Sequence, residues 1–167
     1  MTVADEVVST DTTSQRSRAQ AICLRQLAVR GRSRTELERA LSKREIDADV
    51  AAEVLDEFTA MGYIDDEAYA AAVVRAEQIN RGMARRMIAE RLRQRGVADD
   101  VIERAVASVE ANSENAMARE LAVKKLRLMT GLDKQTQARR LQGYLLRRGY
   151  PAGLVVSVCE ELLETAG

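Results

Sequence analysis

The 167-residue sequence contains no histidine and no tryptophan, one proline, one phenylalanine and two cysteines. Without histidine, the chain lacks the side chain that most often moves protons near neutral pH, which is also the commonest metal ligand. It also lacks a Cys-x-x-Cys pair, a glycine-rich phosphate loop and a Gly-x-Ser-x-Gly elbow. We therefore predict a non-enzymatic protein with no catalytic residues, no cofactor and no metal site.

Long apolar runs are also missing, so no segment is predicted to cross a bilayer. The first 15 residues, MTVADEVVSTDTTSQ, have no basic start followed by an apolar run, which argues against an export signal. We predict a cytoplasmic protein with no membrane partner, and a disordered acidic tail over residues 1–16. Cys23 and Cys159 are expected to be reduced core residues rather than a disulfide.

Three stretches of the chain resemble one another: SKREIDADVAAEVL from residue 42, RQRGVADDVIERAV from residue 93 and LRRGYPAGLVVSVC from residue 146. They align without gaps at offsets of 51 and 53 residues, and eight positions keep their character. This fixed spacing is typical of an array of repeated structural units. The aligned sets are Leu37, Ile88, Leu141; Leu41, Leu92, Leu145; Arg44, Arg95, Arg148; Ile46, Val97, Tyr150; Val50, Val101, Leu154; Val54, Ala105, Val158; Leu55, Val106, Cys159; and Phe58, Val109, Leu162.

Each repeat is predicted to contain three helices, because its apolar residues follow helical spacing. Ser33 and Glu36 predict a capping box at the start of the first middle helix. Arg95-Gly96 and Arg148-Gly149 are predicted to end the other two middle helices, since glycine tolerates the left-handed conformation that closes a helix. The first repeat has Glu45 in that place, which is a costlier residue there.

The predicted fold is all-α, with three tandem three-helix repeats of helix-turn-helix type stacked into an elongated array. The predicted repeats cover 17–64, 65–110 and 111–167. The leading helices of the repeats are the least alike, and we expect the apolar stripe of the first to consist of Ala21, Leu24 and Ala28.

The chain has 26 basic and 26 acidic residues, but the two signs are segregated along it. Residues 16–44, 72–95 and 121–148 hold nine, seven and eight Lys or Arg against two, two and one acids. Residues 45–71 hold nine acids and no base, and residues 96–120 are also acidic. Leading and middle helices are therefore basic, whereas closing helices are acidic.

This pattern predicts a basic ridge that attracts phosphate or an acidic protein surface. The alternative is that the same cations lie on solvated faces, paired with acids of adjoining helices. Arg44, Arg95 and Arg148 are assigned mainly to helix capping. The candidate partner- or nucleic-acid-binding residues are Arg32, Arg34, Arg85, Arg86, Arg93, Lys124, Lys125, Arg139 and Arg140.

Several motifs together resemble the RecX family of regulators of the RecA recombinase. They are RSRTEL at 32–37, GYIDDEAYA at 62–70, Val74-Arg75, Arg81-Gly82 and LLRRGY at 145–150. The resemblance covers about residues 17–165. Glu45 departs from the glycine that is common in the family, and Gly143 lies inside the third middle helix.

The resemblance implies a curved all-helical protein that binds RecA, chiefly the RecA filament on single-stranded DNA. It implies restraint of ATP hydrolysis, strand exchange and co-protease activity, in DNA repair, recombination and the SOS response, with direct DNA contact in some members. We expect a monomer. Two other hypotheses remain open: a DNA-binding transcription regulator built from helix-turn-helix units, and a helical adaptor for an unrelated protein partner.

Overall fold

The computed structural model describes residues 3–107, 109 and 111–164, and over that part the chain forms nine α-helices and no strand. The predicted all-α fold with three tandem three-helix repeats is confirmed. No helix in these ranges is both long and apolar enough to cross a membrane. The helices are α1 (Val3–Val29), α2 (Arg34–Ser42), α3 (Ala48–Ala60), α4 (Asp66–Arg81), α5 (Arg85–Gln94), α6 (Asp99–Ala107), α7 (Ala111–Arg127), α8 (Lys134–Leu146) and α9 (Ala152–Glu164).

The chain packs as two compact units. Unit 1 comprises Met1–Ala70 and Arg93–Val101, and unit 2 comprises Ala71–Leu92 and Ile102–Gly167. The second set of helices, α4 to α6, is therefore shared between the units. The predicted repeat boundaries remain a prediction, because the packing divides the chain at other points.

Helix starts follow the local sequence closely. The Ser33 hydroxyl accepts a hydrogen bond from the Glu36 N–H, and the Glu36 carboxylate accepts one from the Ser33 N–H, so the predicted capping box is confirmed. Asp47 caps α3 and Asp133 caps α8 with carboxylates that accept hydrogen bonds from N–H groups of the first turn. These side chains satisfy N–H groups that the first turn of a helix leaves without partners.

The core of unit 1 lies between α1, α2 and α3. Leu37 and Leu41 of α2 are fully buried against Val54, Leu55 and Phe58 of α3. The predicted stripe of α1 is wrong, because Leu24 is 52% exposed and its two alanines are exposed as well. The face of α1 that packs in the core is displaced from the predicted stripe by about one residue. It consists of Ala19, Ile22, Cys23 and Leu27.

The core of unit 2 is built mainly by α7, α8 and α9, with Ala84 from the start of the α5 region. Its fully buried side chains include Leu141, Leu145 and Tyr150. Cys159 lies in this core and Cys23 in the core of unit 1, and both are free thiols, as predicted. Burial raises the pKa of each thiol, which keeps it protonated and unreactive.

The repeat alignment holds best in the middle helices. All six of their aligned anchors are fully buried: Leu37, Ile88, Leu141, Leu41, Leu92 and Leu145. The structure adds a ninth aligned position that the sequence comparison missed, occupied by Ala51, Ile102 and Val155. These three residues are buried and follow the same offsets of 51 and 53 residues.

A first joint lies in unit 1, where the turn after α5 packs on the start of α2. The Ser33 hydroxyl donates to the Arg95 carbonyl, and the Thr35 hydroxyl donates to the Gly96 carbonyl at 2.8 Å. Gly96 has φ of 75°, and a Cβ added there would lie 2.4 Å from the Thr35 Cβ. The close approach and the left-handed backbone both require glycine.

A second joint in unit 2 repeats this geometry. The turn after α8 packs on the start of α5, where the Ala84 N–H donates to the Arg148 carbonyl at 2.9 Å. Gly149 has φ of 88°, and a Cβ there would lie 2.7 Å from the Met87 Cβ. Ala84 and Arg148 follow Ser33 and Arg95 by 51 and 53 residues, the offsets of the repeat.

Two side chains strengthen the second joint by reaching the end of α4. The Arg148 Nε donates to the Arg81 carbonyl at 3.2 Å, and the Tyr150 hydroxyl donates to the Gly82 carbonyl at 3.0 Å. Burial is the main reason that the pKa of Tyr150 rises to about 12, so its hydroxyl keeps the proton that it donates. Arg148 therefore caps a helix, as predicted, but that helix is α4 rather than its own.

The first repeat has the corresponding turn without a glycine. Glu45 has φ of 57°, in the left-handed region that Gly96 and Gly149 also occupy, and its side chain is exposed. The predicted cost at this position is therefore real, since a side chain destabilises that backbone conformation by about 1–2 kcal/mol.

The disordered acidic tail over 1–16 stays a prediction; in the structure α1 begins at Val3, and the first two residues lie outside the described part. The segment contains no proline or glycine to stop a helix. Gln15 and Arg16 also contact α3 and its N-cap. Their partners are the Asp47 N–H at 2.8 Å, Glu53 at 3.2 Å and Glu57.

Replacement of Gly96 by Ala is expected to lower the free energy of unfolding by about 2–5 kcal/mol. The left-handed backbone accounts for about 1–2 kcal/mol and the clash with Thr35 for about 1–3 kcal/mol. Gly62 is a matched control, because it has φ of 75° but no atom within 4 Å of an added Cβ. Urea denaturation should show that Gly62→Ala costs only the backbone part; equal losses would refute the close contact.

Replacement of Glu45 by Gly is expected to stabilise the protein. The variant removes the side chain that destabilises the left-handed backbone, but glycine also raises the conformational entropy of the unfolded chain. The free energy of unfolding should therefore rise by a net of about 0.5–1 kcal/mol. Glu45→Ala removes the same carboxylate and keeps the Cβ, so the difference between the two variants isolates the backbone contribution. Thermal denaturation that ranks the Ala variant at or above the Gly variant would contradict this assignment.

Candidate partner-binding surface

Three of the nine predicted cations, Arg32, Arg34 and Arg93, form ion pairs with helix acids in unit 1. Arg34 contacts Asp56 at 2.6 Å and donates to the Thr59 hydroxyl at 3.2 Å, so it joins α2 to α3. Arg93 lies 2.9 Å from Asp99, at the start of α6. These pairs agree with the alternative hypothesis, in which the cations are paired with acids of adjoining helices.

Arg32 belongs to a denser network around Glu36. The Glu36 carboxylate lies 2.6 Å from Arg30 and 3.5 Å from Arg32, and it accepts a hydrogen bond from the Tyr69 hydroxyl at 2.9 Å. Arg95 in turn donates to the Tyr69 oxygen at 3.2 Å. Arg32 is therefore partly buried and already paired with a carboxylate at the start of α2.

The same network controls the ionisation of Glu36. Burial by itself raises the pKa of this carboxyl, but hydrogen bonds from Arg30, Tyr69 and the Ser33 N–H outweigh it and lower the pKa to about 2. Glu36 thus remains charged at neutral pH, and its charge holds Arg30 and Arg32. Arg32 is one of the nine predicted cations.

Arg85 and Arg86 open α5 in unit 2. The Arg85 N–H donates to the Glu114 carboxylate at 2.9 Å, which fixes the backbone and leaves the side chain exposed. Within the described ranges, neither guanidinium forms an ion pair. These two predicted cations are therefore available to a partner.

Three further predicted cations meet in unit 2, where α7 and α8 pack together. Lys125, Arg139 and Arg140 line one cavity of about 360 Å³ with Arg147 and the bare backbone of Gly143. We call the four cations the third-repeat basic cluster. None of them makes an ion pair within the described residues, so their charges are uncompensated locally. The last predicted cation, Lys124, pairs with Glu120 one turn away.

Arg147 is a member of this cluster that the sequence reading missed. It follows Arg140 by seven residues, which places both on one face of a helix. From the sequence, the adjoining Arg148-Gly149 is assigned to a helix end, and Arg147 is not among the candidate cations. Gly143 lies between Arg140 and Arg147, and a Cβ there would come within 3.1 Å of the Arg147 guanidinium, so the glycine gives that side chain room.

Tyr144 organises the same surface. The Arg148 guanidinium lies 3.8 Å from the centre of its ring, and the Lys125 ammonium lies 5.4 Å away. The electron-rich ring face attracts cations, so it holds these side chains without neutralising them. Tyr144 is half-buried, so it packs against the core of unit 2 and supports this surface as well.

A second cavity, of about 550 Å³, adjoins the cluster and shares Arg147 with it. Ile79, Met83, Met117 and Leu121 supply an apolar lining, while Lys124, Tyr144 and Arg148 stand at its polar side. Unit 2 therefore carries a groove with one apolar and one cationic part. No metal-binding group of acids or thiols occurs among the described residues.

Replacement of Glu36 by Gln is expected to lower the free energy of unfolding at pH 7 by about 1.5–3 kcal/mol, the range for hydrogen bonds to a charged group. Because the folded-state pKa of about 2 is below the usual 4.5, the stabilisation is complete above pH 4.5 and is lost as the pH falls toward 2. Denaturation curves at pH 7, 4 and 2.5 should show the two proteins converging. Glu53→Gln, at an exposed ion pair, should change stability by less than about 1 kcal/mol.

Three family models match the chain in tandem. The first three-helix domain of RecX matches residues 19–58, the second matches 65–106 and the third matches 113–159. Together they span the helices from α1 to α9, so the repeat found in the sequence corresponds to the domain series of this family.

Curated relatives agree with the family models. The regulatory protein RecX of Streptomyces coelicolor is 43% identical over 149 residues, which cover 89% of this chain and 79% of that protein. Those of Thermobifida fusca and Mycolicibacterium smegmatis are 43% and 40% identical, and the matches cover 90% and 93% of this chain and 82% and 85% of theirs.

Solved structures support the fold. The crystal structure of RecX from Lactobacillus salivarius matches with a TM-score of 0.77 at 21% identity, and covers 90% of this chain and 97% of its own. A second RecX crystal structure matches with a TM-score of 0.78 at 20% identity, and covers 99% and 79%. With three tandem family domains over most of its length and relatives that are 40–43% identical, the chain belongs to the RecX family of regulatory proteins.

Proposed function

We propose that this protein is a non-enzymatic regulator that binds the RecA recombinase and its filament on single-stranded DNA. It inhibits ATP hydrolysis, strand exchange and co-protease activity, and thereby acts in the cytoplasm on DNA repair, recombination and the SOS response. The observation that carries the proposal is the presence of three tandem RecX domains in one chain.

Tandem repeats suit a polymeric partner. Each repeat offers a modest contact, and once one repeat is bound, the others meet the filament at high effective concentration. A monomer that contacts successive RecA protomers hinders their relative motion during the ATP cycle. Inhibition then requires only binding and no chemistry.

The surface that contacts the filament should contain the cations that have no acidic partner in the protein. Arg85, Arg86, Lys125, Arg139 and Arg140 meet this condition within the described ranges. Such side chains lose less on binding than paired ones, because no existing ion pair is broken. Arg32, Arg34, Arg93 and Lys124 contribute less to binding, because each already contacts a carboxylate.

Titration of the protein into a RecA reaction on single-stranded DNA is expected to lower the rate of ATP hydrolysis, while the protein alone hydrolyses none. Binding to RecA-coated single strands should be tighter than binding to RecA or to DNA alone. An unchanged ATPase rate at saturating protein would reject the proposal.

The triple variant Lys125→Ala, Arg139→Ala and Arg140→Ala is expected to bind the filament about tenfold or more weakly, which corresponds to about 1.4 kcal/mol. Each lost surface contact supplies roughly 0.5 kcal/mol. The control, Arg25→Ala with Arg75→Ala, removes exposed arginines outside the proposed surface. Equal affinity of both variants, measured by anisotropy of labelled filaments, would clear the cluster of this role.

A transcription regulator is the alternative function, and the uncompensated cations of unit 2 favour some contact with nucleic acid. That function requires preference for one duplex sequence over others, whereas phosphate contacts alone give only salt dependence. Competition with unrelated duplexes separates the two: retention of one sequence at 200 mM salt supports the alternative.

A further inference from the structure

The groove of unit 2 has two parts with different chemistry. Its apolar part is lined by Ile79, Met83, Met117 and Leu121, and Ile79 is 71% exposed at its edge. Its cationic part is the third-repeat basic cluster, and Arg147 lines both parts. A ligand that fits both parts at once must carry an apolar group beside negative charge.

The floor of the apolar part is fixed by close packing. Gly82 has φ of 55°, and a Cβ there would lie 2.5 Å from the Leu121 Cδ1. The Tyr150 hydroxyl donates a hydrogen bond to the Gly82 carbonyl at 3.0 Å. This floor is pre-formed, whereas Met83 and Met117 are flexible side chains that adapt to differently shaped apolar groups.

We propose that this groove binds an acidic peptide segment of a protein partner, with one apolar side chain in the Met83–Met117 part and its carboxylates on the third-repeat basic cluster. The inference deepens the proposed function, on which it rests for the existence of a protein partner. Charge complementarity carries it, because four cations of the groove lack a carboxylate within the described residues. Glu120 is the one acid that lines the described groove, and it is already paired with Lys124.

A nucleic-acid strand fits the groove less well. A nucleobase needs a free aromatic face or side chains that read its polar edge. The ring of Tyr144 already holds Arg148 and Lys125. No Asn, Gln, Ser or Thr lines either described cavity of the groove. Phosphates could contact the cations alone, but the apolar part would then have no role.

The test uses the full chain and fluorescein-labelled peptides of equal length that carry Glu and Asp around one central residue, which is Phe, Leu, Ile or Trp. Two matched controls replace the central residue by Ser, or all acids by Gln and Asn. An oligothymidylate of equal charge represents the rival ligand. Fluorescence anisotropy at physiological salt reports the dissociation constants.

At least one acidic peptide with an apolar centre is expected to bind about tenfold or more tightly than its Ser control, since a buried apolar side chain contributes about that factor. The Gln and Asn control and the oligothymidylate should also bind more weakly. Arg140→Ala with Arg147→Ala should weaken the peptide about tenfold, and Met117→Ser should reduce its advantage over the Ser control. Arg75→Ala, an exposed arginine of unit 2, should change nothing.

The inference is overturned if no acidic peptide binds, if the Ser control binds equally well, or if the oligothymidylate binds best. It is also overturned if Arg75→Ala weakens binding as much as the cluster variant. RecA ATPase assays on the same protein keep the two proposals apart, because inhibition that persists without peptide binding refutes this inference alone.

Discussion

The structure depends on one contact that occurs twice: the turn at the end of a middle helix packs against the start of the preceding middle helix. At Gly96 and Gly149 the backbone is left-handed, and another segment of the same chain lies closer than a Cβ atom at either position would permit. Ser33 in one joint and Ala84 in the other supply the donor to the same carbonyl position. Each joint removes from water the end of a helix whose polar groups would otherwise need other partners.

This arrangement explains why the compact units and the repeats differ. A three-helix repeat buries few side chains by itself, so it gains stability from its neighbour. The turn after α5 therefore belongs with unit 1, while most of α5 belongs with unit 2. The left-handed conformation of Glu45 shows that the turn geometry survives without glycine where the side chain is exposed. Glycine becomes obligatory only where a second chain segment approaches.

Electrostatics divides the basic residues into two groups with different roles. In unit 1, Glu36 remains ionised because hydrogen bonds compensate for its burial, and it holds Arg30 and Arg32 in the structure. In unit 2, Tyr144 holds Lys125 and Arg148 through its ring, which attracts cations but leaves their charge intact. The first arrangement stabilises the fold, and the second leaves positive charge that no carboxylate of the described residues pairs with.

The sequence by itself determined the helical class, the threefold repeat, the capping box at Ser33 and the buried anchors of the middle helices, because helical periodicity and capping chemistry are local. It misplaced the packed face of α1 by about one residue, since the alanines of that helix give a weak periodic signal, and it missed the aligned position of Ala51, Ile102 and Val155. Only the tertiary structure decided which cations are paired, because Arg34 meets Asp56 and Arg32 meets Glu36 through packing that charge counts do not encode. It alone placed Arg147 beside Arg139 and Lys125, since that cluster forms where α7 and α8 meet.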